Sequence, residues 1–113
     1  MVSARWLLGL ACGLSLAGCS REVAGGSVDG KALYATACAT CHGERGTPPP
    51  AMAAQLGARD LRAPEFRQRV SRELVARQIR QGSANKLMPA FAGALSEPQI
   101  EALTTFVVEQ LAR

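Results

Sequence analysis

The sequence is short of aromatic residues, of histidine and of long apolar runs, and these shortages restrict what the protein can be. Aromatic side chains make up 4% of the 113 residues, so a domain of this size lacks the large side chains that usually fill a core. A buried cofactor is expected to supply the missing apolar volume. The longest apolar run covers 13 residues at positions 6–18, whereas a membrane-spanning helix needs roughly 20. The net charge of +4 is mild and does not indicate nucleic-acid binding.

The first 27 residues predict export. Arg5 precedes the apolar run, which is the pattern of a secretory signal peptide. The run ends in LAGC at residues 16–19, which resembles the lipobox of bacterial lipoproteins, where the chain is cut before the cysteine and the cysteine is acylated. We expect a signal peptide over 1–18, lipidation at Cys19, a flexible linker up to residue 27, and one domain over 28–113. The alternative is an ordinary secretory signal or an uncleaved anchor. Either way, we expect the chain to be exported. With Cys19 lipidated, we expect the protein on the periplasmic side of a bacterial membrane, the inner or the outer one.

Apolar spacing predicts an all-α domain. Apolar residues recur at helical intervals, and no stretch alternates with the period of two that is typical of strands. Asp29, Ser71 and Ser96 are the expected N-caps, and Ser96 begins a capping box with Gln99. Residues 43–50 contain two glycines and three consecutive prolines and are predicted to form a loop. The predicted helices cover residues 28–39, 51–58 (a weaker pattern), 71–81 and 96 to about 111, with the last packed against the first.

The chemistry of the chain lies in Cys38-Ala39-Thr40-Cys41-His42, the pattern of c-type haem attachment. Two thiols three residues apart on one helical turn can add to the two vinyl groups of a haem, while the adjacent imidazole lies under the iron. The alternatives are a thioredoxin-like dithiol and a zinc site. A thioredoxin-like dithiol follows a strand and opens a helix, whereas this motif lies at the end of a predicted helix. A zinc site requires four ligands. The sequence therefore favours one covalently bound haem.

The second axial ligand of the iron cannot be a histidine, because the chain has one histidine. Methionine is the remaining common choice. Met88 lies in a loop between the third and last predicted helices, which can wrap to the far face of the haem, and the neighbouring Pro89 has a fixed φ. Met52 follows His42 by ten residues in an alanine-rich segment and is interpreted as a core side chain. The predicted metal ligands are therefore His42 and Met88.

The patterns GxxxYxxxCxxCHG, LMPAF and SxxQIxxLxxFV together resemble class I cytochromes c in their short bacterial form. The resemblance covers residues 28–113 and implies the cytochrome c fold, in which three to four helices surround one covalently bound haem c. It also implies that the first and last helices cross. The residues implied at this crossing are Gly30 and Tyr34 on the first helix and Leu103 and Phe106 on the last.

The resemblance further implies that a proline carbonyl after the CxxCH motif orients the ring of His42 through Nδ1. Three prolines compete for this role, and Pro50 is favoured over Pro48 and Pro49.

A six-coordinate iron has no open position for a substrate, so the predicted function is electron transfer rather than catalysis. The expected setting is a membrane-associated respiratory or dehydrogenase chain, with redox proteins as partners and no small-molecule substrate at the iron. Two alternatives remain open. The domain could be the haem subunit of a larger membrane oxidoreductase, or a five-coordinate haem protein that binds a gas.

Residues 59–80 form the most basic stretch, with seven arginines and three acidic residues. Such a run usually forms a solvated face. The functional alternative is a docking surface for an acidic redox partner, which Lys86 could join.

Overall fold

The computed structural model describes residues 26–113, so the predicted signal peptide, Cys19 and most of the linker lie outside the described residues. The described part of the chain folds into six α-helices and a π-helical turn, and it contains no β-strand. The predicted all-α fold is confirmed. The helices are α1 (Gly30–Ala37), α2 (Ala39–His42), α3 (Pro50–Leu56), α4 (Pro64–Arg69), α5 (Arg72–Gln81) and α6 (Glu97–Phe106), which continues into the π-helical turn Val107–Leu111.

Side-chain caps begin three of these helices where the sequence predicts them. The Asp29 carboxylate accepts hydrogen bonds from two backbone N–H groups in the first turn of α1. The Ser71 hydroxyl accepts one from the first turn of α5. Ser96 and Gln99 form the predicted capping box at the start of α6, since each side chain accepts from the other's backbone N–H.

Three features differ from the sequence prediction. The first helix is interrupted at Cys38, whose φ of −123° separates α1 from α2. Helix α3 begins at Pro50, inside the predicted loop, because proline is well suited to the first position of a helix. Helix α4 is not predicted from the sequence, and its N-cap residue Ala63 makes no side-chain hydrogen bond.

Helices α1 and α6 cross in close contact at Gly30. A Cβ atom at this glycine would lie 2.2 Å from the carbonyl oxygen of Ala102 and 3.0 Å from Cβ of Phe106. The ring centroids of Tyr34 and Phe106 are 5.3 Å apart, and Leu103 is fully buried beside them. The predicted crossing of the first and last helices is therefore present.

The described helices are short, and the longest, α5 and α6, have 10 residues each. None of the helices in residues 26–113 is long and apolar enough to cross a membrane.

Candidate haem-binding site

A cavity of about 480 Å³ lies between the helices. Its volume falls within the range of about 300–1,000 Å³ that is usual for ligand and cofactor sites. All six helices and the π-helical turn contribute to its walls, which are mainly apolar. Such walls suit a large planar macrocycle. The apolar lining residues are Tyr34, Ala37, Leu56, Ala58, Leu61, Phe66, Leu74, Val75, Ile79, Leu87, Met88, Pro89, Phe91, Leu103 and Val107.

Cys38, Cys41 and His42 line this cavity together on a single turn of helix. The carbonyl of Cys38 accepts hydrogen bonds from the backbone N–H groups of Cys41 at 3.2 Å and of His42 at 3.0 Å. Both thiols are free and half-buried. Two thiols and an imidazole on one turn, facing an apolar cavity, are the donor set that a c-type haem requires.

The pKa of the Cys38 thiol differs from that of a redox-active dithiol. Burial, with a smaller effect of the neighbouring Cys41, raises the pKa of Cys38 to about 11. Catalytic dithiols instead have thiol pKa values lowered by helix N-termini or nearby cations. This difference argues against the thioredoxin-like alternative.

The zinc alternative also lacks support from the fold. Within residues 26–113, no group of three or more His, Cys, Asp or Glu side chains is placed to hold a metal ion. A structural zinc ion needs four such ligands.

The ring of His42 is held by a backbone carbonyl. Its Nδ1 lies 2.9 Å from the carbonyl oxygen of Arg59. Because a carbonyl can only accept a hydrogen bond, Nδ1 carries the proton and Nε2 keeps its lone pair for a metal. A carbonyl partner on the second ring nitrogen is usual for a metal-ligating histidine.

This contact corrects the prediction that Pro50 orients His42. Pro50 lies in the first turn of α3, where carbonyl groups point along the helix, and the carbonyl of Pro49 accepts the N–H of Ala53. The role belongs instead to Arg59, 17 residues after the histidine. The sequence gives no signal for it, because any residue can supply a backbone carbonyl.

Met88 lines the same cavity as the CxxCH turn, and Met52 is not among its lining residues. Met88 is half-buried, and its backbone is fixed at both ends. Its N–H donates to the Ser83 hydroxyl at 3.0 Å, and its carbonyl accepts from the Ser83 N–H at 3.0 Å. The structure therefore brings the predicted ligand Met88 to the cavity and leaves Met52 outside it.

Gly82 allows the loop that carries Met88 to fold back against the end of α5. Its φ is +69°, and a Cβ atom there would lie 2.4 Å from the carbonyl oxygen of Met88. The loop is also tied to the helix, because the N–H of Phe91 donates to the carbonyl of Ile79 at 2.9 Å. A side chain at position 82 would displace the methionine loop.

Two arginines among the lining residues are further site residues that no sequence motif identifies. Arg59 and Arg69 are exposed residues that line the cavity. They bring positive charge to a mainly apolar cavity, which suits the two propionate carboxylates that haem carries. The motifs give no signal for them, since both lie within a run of seven arginines.

The basic stretch divides into two groups in the structure. Arg72 pairs with Glu101 and Glu109, and Arg80 pairs with Glu97 at 2.7 Å. The other five arginines are exposed, and none of them forms an ion pair with another described residue. They are Arg59, Arg62, Arg67, Arg69 and Arg77.

Comparisons with known proteins agree with this geometry. The family model described as cytochrome c oxidase, cbb3-type, subunit III matches residues 28–107. Among solved structures, the KustC0563 c-type cytochrome is 34% identical, with a TM-score of 0.64, over 71% of this chain and 94% of that chain. A mutant of the same cytochrome, in which a tyrosine is replaced by phenylalanine, is 32% identical, with a TM-score of 0.63, over 72% of this chain and 96% of that chain. No curated protein matches the chain.

Proposed function

This chain belongs to the c-type cytochromes, in the family of cbb3-type cytochrome c oxidase subunit III, and we propose that His42 and Met88 are the axial ligands of its haem. Membership of the family gives the chain one covalently bound haem c and a role in electron transfer. The proposal adds the ligand set and, with it, a closed iron. Haem c supplies one-electron chemistry when bound, and a closed iron restricts the protein to that chemistry.

One observation carries the proposal. The CxxCH turn and Met88 are 46 residues apart in the sequence and yet line one apolar cavity, from which Met52 is absent. The tautomer of His42 supports the same assignment, because the carbonyl of Arg59 engages Nδ1 and leaves Nε2 for the iron.

The other residues of the site hold and insulate the cofactor. Cys38 and Cys41 would attach it through thioether bonds, which removes the thiols from titration. The apolar walls exclude water and so favour the less charged, reduced state of the iron. Arg59 and Arg69 would face the propionates, and their positive charges favour reduction further.

The test is the replacement of Met88 by alanine in the holoprotein, with Met52→Ala as the matched control. Met88→Ala keeps the haem covalently attached, since Cys38, Cys41 and His42 are untouched. It opens the sixth position, so the charge-transfer band of methionine-ligated ferric haem disappears and carbon monoxide binds rapidly to the reduced protein. The reduction potential falls, because the thioether favours ferrous iron.

Met52→Ala is expected to leave the spectrum and the carbon monoxide reaction unchanged. Loss of the charge-transfer band in the Met52 variant alone would assign ligation to that residue. Rapid binding of carbon monoxide to the wild type would favour the five-coordinate, gas-binding alternative.

A second candidate function is that of a haem subunit within a larger oxidoreductase. The observation that favours it is the matching family model, which describes an oxidase subunit. Solubilised native membranes distinguish the two roles. A free carrier migrates at its own mass on size exclusion, whereas a subunit co-migrates with oxidoreductase activity.

We further propose a periplasmic membrane anchor at Cys19. The buried amide of Gln99 donates to the carbonyl of Ser27 at 3.0 Å, which ties the start of the domain to α6. Ser27 is the eighth residue after Cys19, and a fully extended chain covers at most about 3.5 Å per residue, or roughly 28 Å. An acylated Cys19 would therefore keep the haem close to the bilayer.

The unpaired arginines support a docking surface for an acidic redox partner. Positive charge that no acidic side chain of residues 26–113 neutralises is available to steer an acidic partner, and Arg59 and Arg69 place part of it at the cavity. Arg72 and Arg80 contribute less, because glutamates of the C-terminal segment already pair with them.

A further inference from the structure

We propose that Asp60 is a positioning residue, which with Thr47 holds the carbonyl of Arg59 on the ring of His42 and so sets the donor strength of this ligand. The inference rests on the proposed ligation of iron by His42. It assigns a task to a carboxylate that the sequence motifs leave without one.

The side chain of Asp60 fixes the turn that follows Arg59. Its Oδ1 accepts a hydrogen bond from the backbone N–H of Arg62 at 2.8 Å and one from the Thr47 hydroxyl at 3.2 Å. The carbonyl of Asp60 also accepts from the N–H of Ala63 at 3.3 Å. Three contacts therefore hold one half-buried residue.

Fixing Asp60 fixes the carbonyl of Arg59, because the two belong to the same peptide unit. The carbonyl carbon of Arg59 is bonded to the nitrogen of Asp60, and the unit is planar. Rotation about the backbone of Asp60 would move the carbonyl oxygen away from Nδ1 of His42, which lies 2.9 Å from it.

The same turn is joined to the loop that directly follows His42. The N–H of Leu61 donates to the carbonyl of Gly46 at 2.8 Å, and Thr47, the next residue, binds Asp60. The histidine and its carbonyl partner thus lie on two segments that are linked to each other at Gly46 and Thr47. This linkage holds the two segments together and so maintains the 2.9 Å contact between Nδ1 of His42 and the carbonyl oxygen of Arg59.

The contact affects the iron because a hydrogen bond from Nδ1 makes an imidazole more basic at Nε2. A more basic ligand stabilises ferric iron relative to ferrous iron. Loosening the contact therefore weakens the donor and favours the reduced state, so the reduction potential rises.

The test compares Asp60→Ala with Asp60→Asn in the holoprotein. Both substitutions remove one negative charge, but asparagine keeps an acceptor oxygen for Thr47 and for the N–H of Arg62. We expect the equilibrium of the alanine variant to lie about three- to tenfold further toward the reduced state than that of the asparagine variant, where tenfold corresponds to about 59 mV. Exchange of the His42 Nδ1 proton in the reduced protein, followed by NMR, should accelerate in the alanine variant and not in the asparagine variant.

Thr47→Val is an independent test that does not change the charge, and it can be used if Asp60→Ala does not fold. It removes the hydroxyl that binds Asp60 and should shift the potential and the proton exchange in the same direction, by less. Equal potentials for Asp60→Ala and Asp60→Asn, or a Thr47 variant identical to the wild type, would overturn the proposal. Failure of the underlying ligation is recognised separately, because the wild-type spectrum would then lack an axial histidine.

Discussion

The crossing of α1 and α6 can be tested with Gly30→Ala, for which helix propensity and packing predict opposite signs. Alanine is favoured over glycine in a helix by up to about 1 kcal/mol. The new Cβ, however, would lie 2.2 Å from the carbonyl oxygen of Ala102, and relief to 3.0 Å requires the helices to separate by about 0.8 Å. Overpacking of this kind usually costs about 1–3 kcal/mol. We expect a net loss of about 1–2 kcal/mol in the free energy of unfolding, a large share of the roughly 5–15 kcal/mol of a typical domain.

Urea unfolding of the holoprotein, monitored by circular dichroism, measures this loss. Separation of the helices should also broaden the haem spectrum, because α1 leads into Cys38 while Leu103 of α6 lines the same cavity. Ala35→Gly is the control, since Ala35 is exposed on α1 and its replacement reports helix propensity alone, about 1 kcal/mol of destabilisation. A Gly30→Ala variant that is more stable than the wild type would refute the close crossing.

Three further changes test the Tyr34 hydrogen bond, the basic surface and the lipid anchor. Tyr34→Phe should cost about 1–3 kcal/mol, because the buried carbonyl of Gly43 loses its 2.7 Å hydrogen bond. Burial also raises the pKa of the Tyr34 hydroxyl, so this group ionises at lower pH in the unfolded state than in the folded state. Urea titrations should therefore show that the wild type loses stability as the pH rises above about 10, whereas Tyr34→Phe does not lose stability from this group. Arg67→Glu should slow the reaction of the reduced protein with ferricyanide at low ionic strength but not at high salt. The effect should exceed that of the matched charge reversal Lys31→Glu. Equal effects would indicate that the arginines form a solvated face and no docking surface. Cys19→Ser should move the haem protein from the membrane fraction to the soluble fraction, and an unchanged distribution would contradict the lipid anchor.

The helices that the sequence predicts most accurately are those with a side chain at the N-cap. Ser71 and Ser96 identify the starts of α5 and α6 because a hydroxyl that accepts a backbone N–H depends on residue type. Helix α4 has Ala63 in that position, and no cap signal exists to be read. The sequence also does not predict the break at Cys38, since this break arises from backbone dihedrals that several residue types can adopt.

The difference between side-chain and backbone interactions also explains which parts of the site can be predicted from the sequence. Thiols, an imidazole and a thioether are specific to their residues, so Cys38, Cys41, His42 and Met88 are read directly from the chain. The acceptor for Nδ1 is a backbone carbonyl, which every residue carries. A substitution at Arg59 would leave that carbonyl in place and remove one positive charge from the cavity edge, whereas a substitution at Asp60 would disturb the carbonyl itself. The sequence position that controls the histidine contact is thus the neighbour of the residue that makes it.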